Sequence, residues 1–276
     1  MKKLTNLLTI VGILCCAVVM AGAQDWTLRL YDSFGDGWNG SSINVSINGG
    51  GPTSYTLAGG DYIEYNLGPV ANSGTIAISR NATGSYTSEV SWALVAPNGL
   101  VTNFYSNSTV NPASSDYAGG SWATWGPINH TVVASDNWQG PGCDFGIAMG
   151  DTFGDGWNGA SLRIAVGGNN YYALLFNTDD PQGTSYTYTL TIPNGESPVM
   201  VVETRPGIFN SECSYTITEP APNANCGAGC NVTAGSYPAT VTVAYQGTVA
   251  CGAAPEPEVC ELICPADQYV TLQAGE

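Results

Sequence analysis

Apolar and polar positions alternate along two stretches of this chain, and a glycine-rich loop interrupts each stretch. In the first stretch, Trp26, Leu28 and Leu30 precede the loop at every second position. The alternation resumes after that loop and recurs around a second one, at Ile43, Val45, Ile47, Phe145, Ile147, Met149, Leu162, Ile164 and Val166. A period of two predicts strands that bury one face. Each loop is therefore predicted to connect two strands, and no helical period is found after residue 23.

The two loops share one sequence. Residues 32–40 read DSFGDGWNG and residues 151–159 read DTFGDGWNG, so a single position differs. A later segment also recurs, since SEVSWAL at 88–94 corresponds to SECSYTI at 211–217. Similarity that returns at a fixed spacing indicates repeated structural units. The chain is therefore predicted to contain two copies of one unit of roughly a hundred residues, a usual domain size.

These patterns predict an all-β fold with two tandem antiparallel β-sandwich domains after a signal peptide. We place the signal peptide at 1–23, because two lysines, an apolar stretch and a small-residue cleavage signature follow one another there. The first sandwich is predicted at 25–135 and the second at 136–253. Residues 254–276 are predicted to be a linker and the start of a truncated third module. The protein is expected to be secreted, extracellular or on the cell surface.

The charge balance restricts the partners. The chain has 22 acidic and 6 basic residues and a formal net charge of −16. Both lysines lie in the predicted signal peptide, so only arginines remain as bases after it. Such a chain repels nucleic acid and anionic lipid and attracts cations. We therefore predict neither nucleic-acid binding nor membrane insertion.

Cysteine usage agrees with export. Two of the nine cysteines lie in the predicted signal peptide, and the first copy has none. In an oxidising compartment, disulfides are the expected state of the others. Their odd number predicts that one partner lies beyond Glu276. They are Cys143, Cys213, Cys226, Cys230, Cys251, Cys260 and Cys264.

Four polar residues recur with the loop, and they predict a calcium site. Carboxylates four residues apart, with a glycine directly after the second, resemble half of an EF-hand loop. Phe34 and Phe153 replace its middle ligand, so the loop is not an EF-hand. Oxygen donors suit Ca²⁺ better than zinc or copper, because no histidine or free thiol recurs with the loop. The predicted ligands are Asp32, Asp36, Asn39 and Glu89 in the first copy, and Asp151, Asp155, Asn158 and Glu212 in the second.

The loop has two other interpretations. As a purely structural turn, its aspartates cap backbone N–H groups, its glycines supply positive φ, and its tryptophan closes the end of the sandwich. In a carbohydrate-binding module, Trp38 and Trp157 are instead exposed beside the metal site and stack on a sugar ring. A third role, the subunit of an extracellular filament, is suggested by the many Gly, Asn and Tyr residues and the few charges.

The D-x-F-G-D-G-W-N-G loop with its later S-E-x-S strand resembles the repeated β-sandwich modules of large secreted bacterial surface proteins, which are similar in design to CUB domains. The resemblance implies CUB-like or jelly-roll-like, non-catalytic sandwiches, in which Asp32, Asp36, Glu89 and their counterparts bind calcium. Cys143 and Cys213 lie on strands whose counterparts in the first copy lack cysteine, and they are expected to form a disulfide. The segment after Cys260 resembles the start of a hyalin-repeat (HYR) domain.

Catalytic motifs are missing from the sequence. His130 is the single histidine, and no Gly-x-Ser-x-Gly nucleophile motif or phosphate-binding loop occurs. We therefore expect a protein that is not an enzyme. The expected role is a calcium-stabilised segment of a multidomain surface protein in adhesion, matrix or assembly. Its partners would be other extracellular proteins or glycans, or further copies of itself.

Overall fold

A computed structural model describes residues 25–106, 122–123, 125–175, 184–220, 231–233 and 235–251. Within these ranges the chain is all-β, and every pairing between strands of a sheet is antiparallel, as predicted. The same ranges contain no helix long and apolar enough to cross a membrane. The predicted signal peptide and the predicted third module lie outside the described residues.

The first eight strands form two facing sheets. Strands β4-β1-β6-β7 are neighbours in one sheet and β3-β2-β5-β8 in the other. Side chains of both sheets pack into one buried apolar cluster, for example Leu28 and Trp92 against Ile43 and Ile76. The strands are β1 (Trp26–Asp32), β2 (Ser42–Ile47), β3 (Thr53–Tyr55), β4 (Tyr62–Gly68), β5 (Thr75–Ala82), β6 (Val90–Val95), β7 (Val101–Ser106) and β8 (Ile128–Thr131).

The next eight strands repeat this arrangement. Strands β12-β9-β14-β15 are neighbours in one sheet and β11-β10-β13-β16 in the other. Phe145 and Ile217 of the first sheet belong to the same buried cluster as Leu162 and Val202 of the second. The strands are β9 (Gly142–Asp151), β10 (Ser161–Val166), β11 (Asn169–Ala173), β12 (Ser185–Pro193), β13 (Val199–Arg205), β14 (Cys213–Thr218), β15 (Asn231–Val232) and β16 (Thr242–Thr248).

The two sets have the same pairing order, since adding eight to each strand number of the first set gives its counterpart in the second. The acidic loop lies at the same point of both sets, between β1 and β2 and between β9 and β10. The sequence repeat is therefore also a repeat of strand topology.

One sheet runs through both sets. Strand β7 pairs with β11 where Val101 lies opposite Tyr172, and this pairing joins two four-stranded groups into an eight-stranded sheet. The rings of Phe104 and Tyr172 pack edge to face, with their centroids 5.1 Å apart. Val101 and Phe104 also belong to the apolar cluster of the second set. The two sequence repeats thus share both a sheet and part of a core.

The connecting segment contains a turn of 3-10 helix, Ala134–Asn137, which is anchored by the buried Asp136. The Asp136 carboxylate accepts hydrogen bonds from the Tyr171 hydroxyl at 2.7 Å and from the Val133 backbone N–H at 2.9 Å. His130 Nε2 lies 2.8 Å from the same carboxylate. The single histidine of the sequence therefore has a structural partner at this connection.

The expected Cys143–Cys213 disulfide is wrong. Cys143 is instead bonded to Cys251, with 5.6 Å between the two Cα atoms, and Cys213 is a buried free thiol. Cys213 lies opposite Asp151 in the β14–β9 pair, at the far end of β9 from Cys143. Eight residues of extended strand separate these points by roughly 27 Å, several times the Cα separation that a disulfide allows.

Candidate metal centre

Each acidic loop leaves a strand at its first aspartate, which holds the turn by side-chain hydrogen bonds. Asp32 Oδ1 accepts backbone N–H groups of Phe34 and Gly35 at 2.9 and 2.6 Å. In the second loop, Asp151 Oδ1 accepts from Phe153 at 3.2 Å, and its Oδ2 accepts from Gly154 and Gly156 at 2.7 and 2.9 Å. The capping role predicted for the first aspartate is therefore present in both loops.

Gly37 lets the loop pass close to the neighbouring segment 57–59. Its φ is +90°, and a Cβ added there would lie 2.6 Å from the Gly59 nitrogen and 2.8 Å from the Leu57 oxygen. The next residue, Trp38, donates its backbone N–H to that Leu57 oxygen at 2.8 Å. Only glycine fits this position without displacing the backbone bond.

The tryptophans of both loops lie inside the sandwich. Trp38 and Trp157 are fully buried, and their Nε1–H groups donate to the carbonyls of Tyr31 and Gly150 at 2.8 and 2.9 Å. Trp157 packs edge-on against Tyr237, with ring centroids 5.1 Å apart. The predicted sugar-stacking role of Trp38 and Trp157 is therefore wrong, because neither ring offers a face to a ligand.

The fold brings three predicted carboxylates together in each repeat. Ligand atoms of Asp32, Asp36 and Glu89 all lie within 4.8 Å of one another, and so do those of their counterparts Asp151, Asp155 and Glu212. A backbone hydrogen bond from Ser33 to the Glu89 carbonyl, 3.1 Å long, holds the distant glutamate beside the loop. Thr152 makes the same bond, also 3.1 Å long, to the Glu212 carbonyl.

The asparagines bind the second carboxylate of each loop. Asn39 Nδ2 donates to Asp36 Oδ1 at 2.7 Å and to the Gly37 carbonyl at 2.8 Å. Asn158 repeats this with Asp155, at 2.9 Å. Both asparagines have positive φ, 47° and 45°, which asparagine tolerates better than most residues. They orient the carboxylate through their nitrogen, and the ligand role of their amide oxygens stays a prediction for Asn39 and Asn158.

Burial and the charges of neighbouring aspartates disfavour the charged forms of three carboxyl groups, Asp32, Glu89 and Glu212. The pKa of Asp32 is raised, mainly by burial, although backbone N–H groups oppose the rise and Asp36 adds to it. The pKa of Glu89 is raised by desolvation and then by the charges of Asp32 and Asp36. Desolvation and then the two aspartates of the second loop likewise raise the pKa of Glu212. The only charges that shift either glutamate are negative.

One buried carboxylate oxygen in each cluster has no hydrogen-bond partner among the residues that the structure describes. In the first repeat it is Oδ2 of Asp32, whose side chain is fully buried. In the second repeat it is Oε2 of Glu212. A buried acceptor without a partner is destabilising, and more so when it is charged. Each cluster therefore contains an unused acceptor at the point where its negative charges converge.

Two exposed aromatic rings flank each cluster, and the sequence reasoning missed them as a group. Phe34 and Phe153 follow the first aspartate by two residues and are 75% and 77% exposed. Tyr86 and Phe209 precede the glutamate by three residues and are 65% and 47% exposed. The signal was present in the repeat, because an aromatic residue occupies both positions in both copies.

No family model, no curated protein and no solved structure matches this chain. The fold and the site thus define an all-β protein with antiparallel sheets and two acidic clusters at equivalent loops. The resemblance to CUB domains and to the start of a hyalin repeat stays a prediction.

Proposed function

We propose that this chain is a non-catalytic, calcium-stabilised extracellular segment of a multidomain surface protein, acting in adhesion, matrix or assembly. Its two repeats would be tandem β-sandwich domains. The observation that carries the proposal is the duplicated cluster of three carboxylates, in which one buried oxygen per cluster has no hydrogen-bond partner within the described part of the chain. A purely structural turn needs the capping aspartate but gains nothing from a distant glutamate that raises the negative charge.

The donor set favours calcium. Both clusters offer carboxylate oxygens, and Ca²⁺ takes six to eight oxygen ligands in flexible geometry. Zinc and copper prefer imidazole and thiolate ligands. The second cluster has a thiol one residue away, at Cys213, but burial raises the pKa of that thiol to about 12. A cation in the cluster would pair with the unused oxygen and cancel the repulsion among the three acids.

The extracellular assignment rests on the predicted signal peptide, the acidic charge and the Cys143–Cys251 disulfide. Disulfides persist in oxidising compartments. An adhesion, matrix or assembly role fits a chain of repeated sandwiches. The non-catalytic part of the proposal is supported by a sequence without a nucleophile motif, whose one histidine is bound to Asp136.

The filament alternative is less well supported. The strand pairing between β7 and β11 uses apolar side chains, Phe104 and Tyr172. The strand registers show which residues are the counterparts of this pair. The counterpart of Tyr172 in the first repeat is Ser54, and the counterpart of Phe104 in the second repeat is Asn231. These edges lack the apolar residues that would repeat the same contact between molecules.

Thermal unfolding of the protein without its signal peptide, in calcium and in chelator, tests the proposal. Calcium at about 100 times its Kd should add about 2.7 kcal/mol for each occupied site. The double variant Asp36→Asn, Asp155→Asn should lose this gain, because it removes one carboxylate from each cluster. The variant should still fold, since both residues reach the surface and an asparagine side chain keeps the acceptor that Asn39 and Asn158 use.

The matched control is Asp25→Asn with Glu196→Gln, which removes the same charge at exposed positions outside both clusters. It should keep the calcium response. Equal unfolding midpoints of the unmodified protein in calcium and in chelator would refute the metal site.

A further inference from the structure

We propose that each acidic cluster, together with its two aromatic rings, forms a calcium-dependent binding site for a neutral saccharide. The inference rests on the proposed calcium site and adds the class of ligand. It transfers the stacking role from the buried Trp38 and Trp157 to exposed rings that lie beside the same carboxylates.

These aromatic rings are exposed to solvent and are not needed to close the core. A single exposed apolar side chain is ordinary on a protein surface. Here, however, the end of each sandwich is already closed by a buried tryptophan, and two further aromatic residues per repeat remain in solvent. Phe34 and Phe153 are among the most exposed large apolar residues of the described part of the chain, and both occupy the third position of the loop.

Backbone hydrogen bonds fix these residues next to the carboxylates. Phe34 donates its N–H to Asp32 Oδ1 at 2.9 Å, and Glu89 donates its N–H to the Tyr86 carbonyl at 3.0 Å. In the second repeat, Phe153 donates to Asp151 at 3.2 Å, and the bond from Glu212 to the Phe209 carbonyl is 3.0 Å long. An aromatic residue is therefore tethered to the first aspartate and to the glutamate of each cluster.

The chemistry selects a neutral polyol with an apolar face. Three carboxylates do not complete the six to eight oxygens around Ca²⁺, and two of the three in each cluster reach the surface, so part of the ion faces solvent. A pair of adjacent sugar hydroxyls supplies oxygens of the required kind. The aliphatic face of a pyranose can then pack on a neighbouring ring, and phenylalanine contributes only such packing because it has no polar atom.

Charge argues against the other calcium ligands. At a net charge of −16 the chain repels polyanions, including anionic lipid and acidic polysaccharides. Calcium could also bridge the clusters to a phospholipid surface, with the same exposed rings inserted between the lipids. Lipid binding is therefore the competing outcome of the test.

The test is an array of neutral glycans that end in mannose, galactose, fucose or N-acetylglucosamine, probed with the protein in calcium and in chelator. Hits in calcium that vanish in chelator are expected. In the double variant Phe34→Ala, Phe153→Ala, affinity for those hits should fall at least about tenfold, which corresponds to about 1.4 kcal/mol. Val199→Ala, at another exposed apolar position, is the matched control and should bind normally.

Two further measurements separate the possible failures. The phenylalanine variant should keep the calcium-dependent rise of the unfolding midpoint, which shows that its metal sites are intact. If calcium raises the unfolding midpoint of the unmodified protein but no glycan is bound in a calcium-dependent way, the saccharide site is overturned and the proposed function stands. If calcium does not raise that midpoint, both are overturned. Calcium-dependent binding to phosphatidylserine-containing vesicles, without glycan hits, would replace the saccharide by a lipid surface.

Discussion

Opening the Cys143–Cys251 disulfide should destabilise the second repeat most, and should affect the first only through the sheet and the core that the two repeats share. The bond joins the start of β9 to the residues after β16, so it encloses all eight strands of the second set. It closes a loop of 108 residues. The chain-entropy relation for a loop of that length gives about 4.7 kcal/mol of stabilisation through the unfolded state.

Hydrogen exchange under native conditions can locate this effect. In the variant Cys143→Ala, Cys251→Ala, or after reduction, amides of β9, β10 and β13 should exchange faster, by up to the factor that corresponds to about 4.7 kcal/mol. Amides of β1 and β2 serve as the internal reference. Cys213→Ala is the matched control, because it removes a free buried thiol and should leave the redox response intact.

Single-molecule extension gives a second readout of the same bond. When force is applied at residue 25 and at residue 251, the oxidised second repeat cannot lengthen, since the bond bypasses its 108 residues. Reduction should release roughly 390 Å of contour length, from about 3.6 Å per residue. Release of that length in the oxidised protein, or a redox response that disappears in Cys213→Ala, would refute the pairing.

The two clusters also predict opposite effects of one substitution, and a characteristic pH dependence. In chelator, Asp32→Asn should stabilise the protein. The amide oxygen can keep the bonds that Oδ1 accepts, and the neutral NH₂ group replaces the buried, charged Oδ2 that has no partner. Asp151→Asn should destabilise it by about 2 kcal/mol or more, because both oxygens of Asp151 accept backbone N–H groups and an amide nitrogen cannot. Chemical denaturation measures both, and equal signs would contradict the geometry. Because folding raises the pKa of Asp32 and Glu89, the ion-free folded state binds more protons than the unfolded one, so their contribution to stability should fall as pH rises from the ordinary carboxyl pKa through the raised values. Calcium competes with those protons, so its affinity should weaken as pH falls through the same window; a calcium affinity that does not change there would contradict this.

Individual residues show how far sequence reasoning reached into the site. The recurrence of Asp32, Asp36 and Glu89 at matching positions predicts that they act together, and the fold brings their ligand atoms within 4.8 Å of one another. For Trp38 the sequence leaves two roles open, closing the end of the sandwich or stacking on a sugar, and its burial selects the first. The sequence predicts that the amide oxygen of Asn39 is a ligand, whereas the structure adds a contact of its nitrogen, which donates to Asp36.

The period-two strands, the duplicated loop and the residues that accompany it can be predicted from the order of amino acids, because they are local patterns repeated within one chain. Three features appear only in the folded chain: β7 pairs with β11, Cys143 meets Cys251 rather than Cys213, and the loop phenylalanines face solvent while the loop tryptophans fill the core. Each of these depends on which distant segments become neighbours when two sheets close over one another. Strand alternation specifies the face that a residue occupies but not the residue it meets.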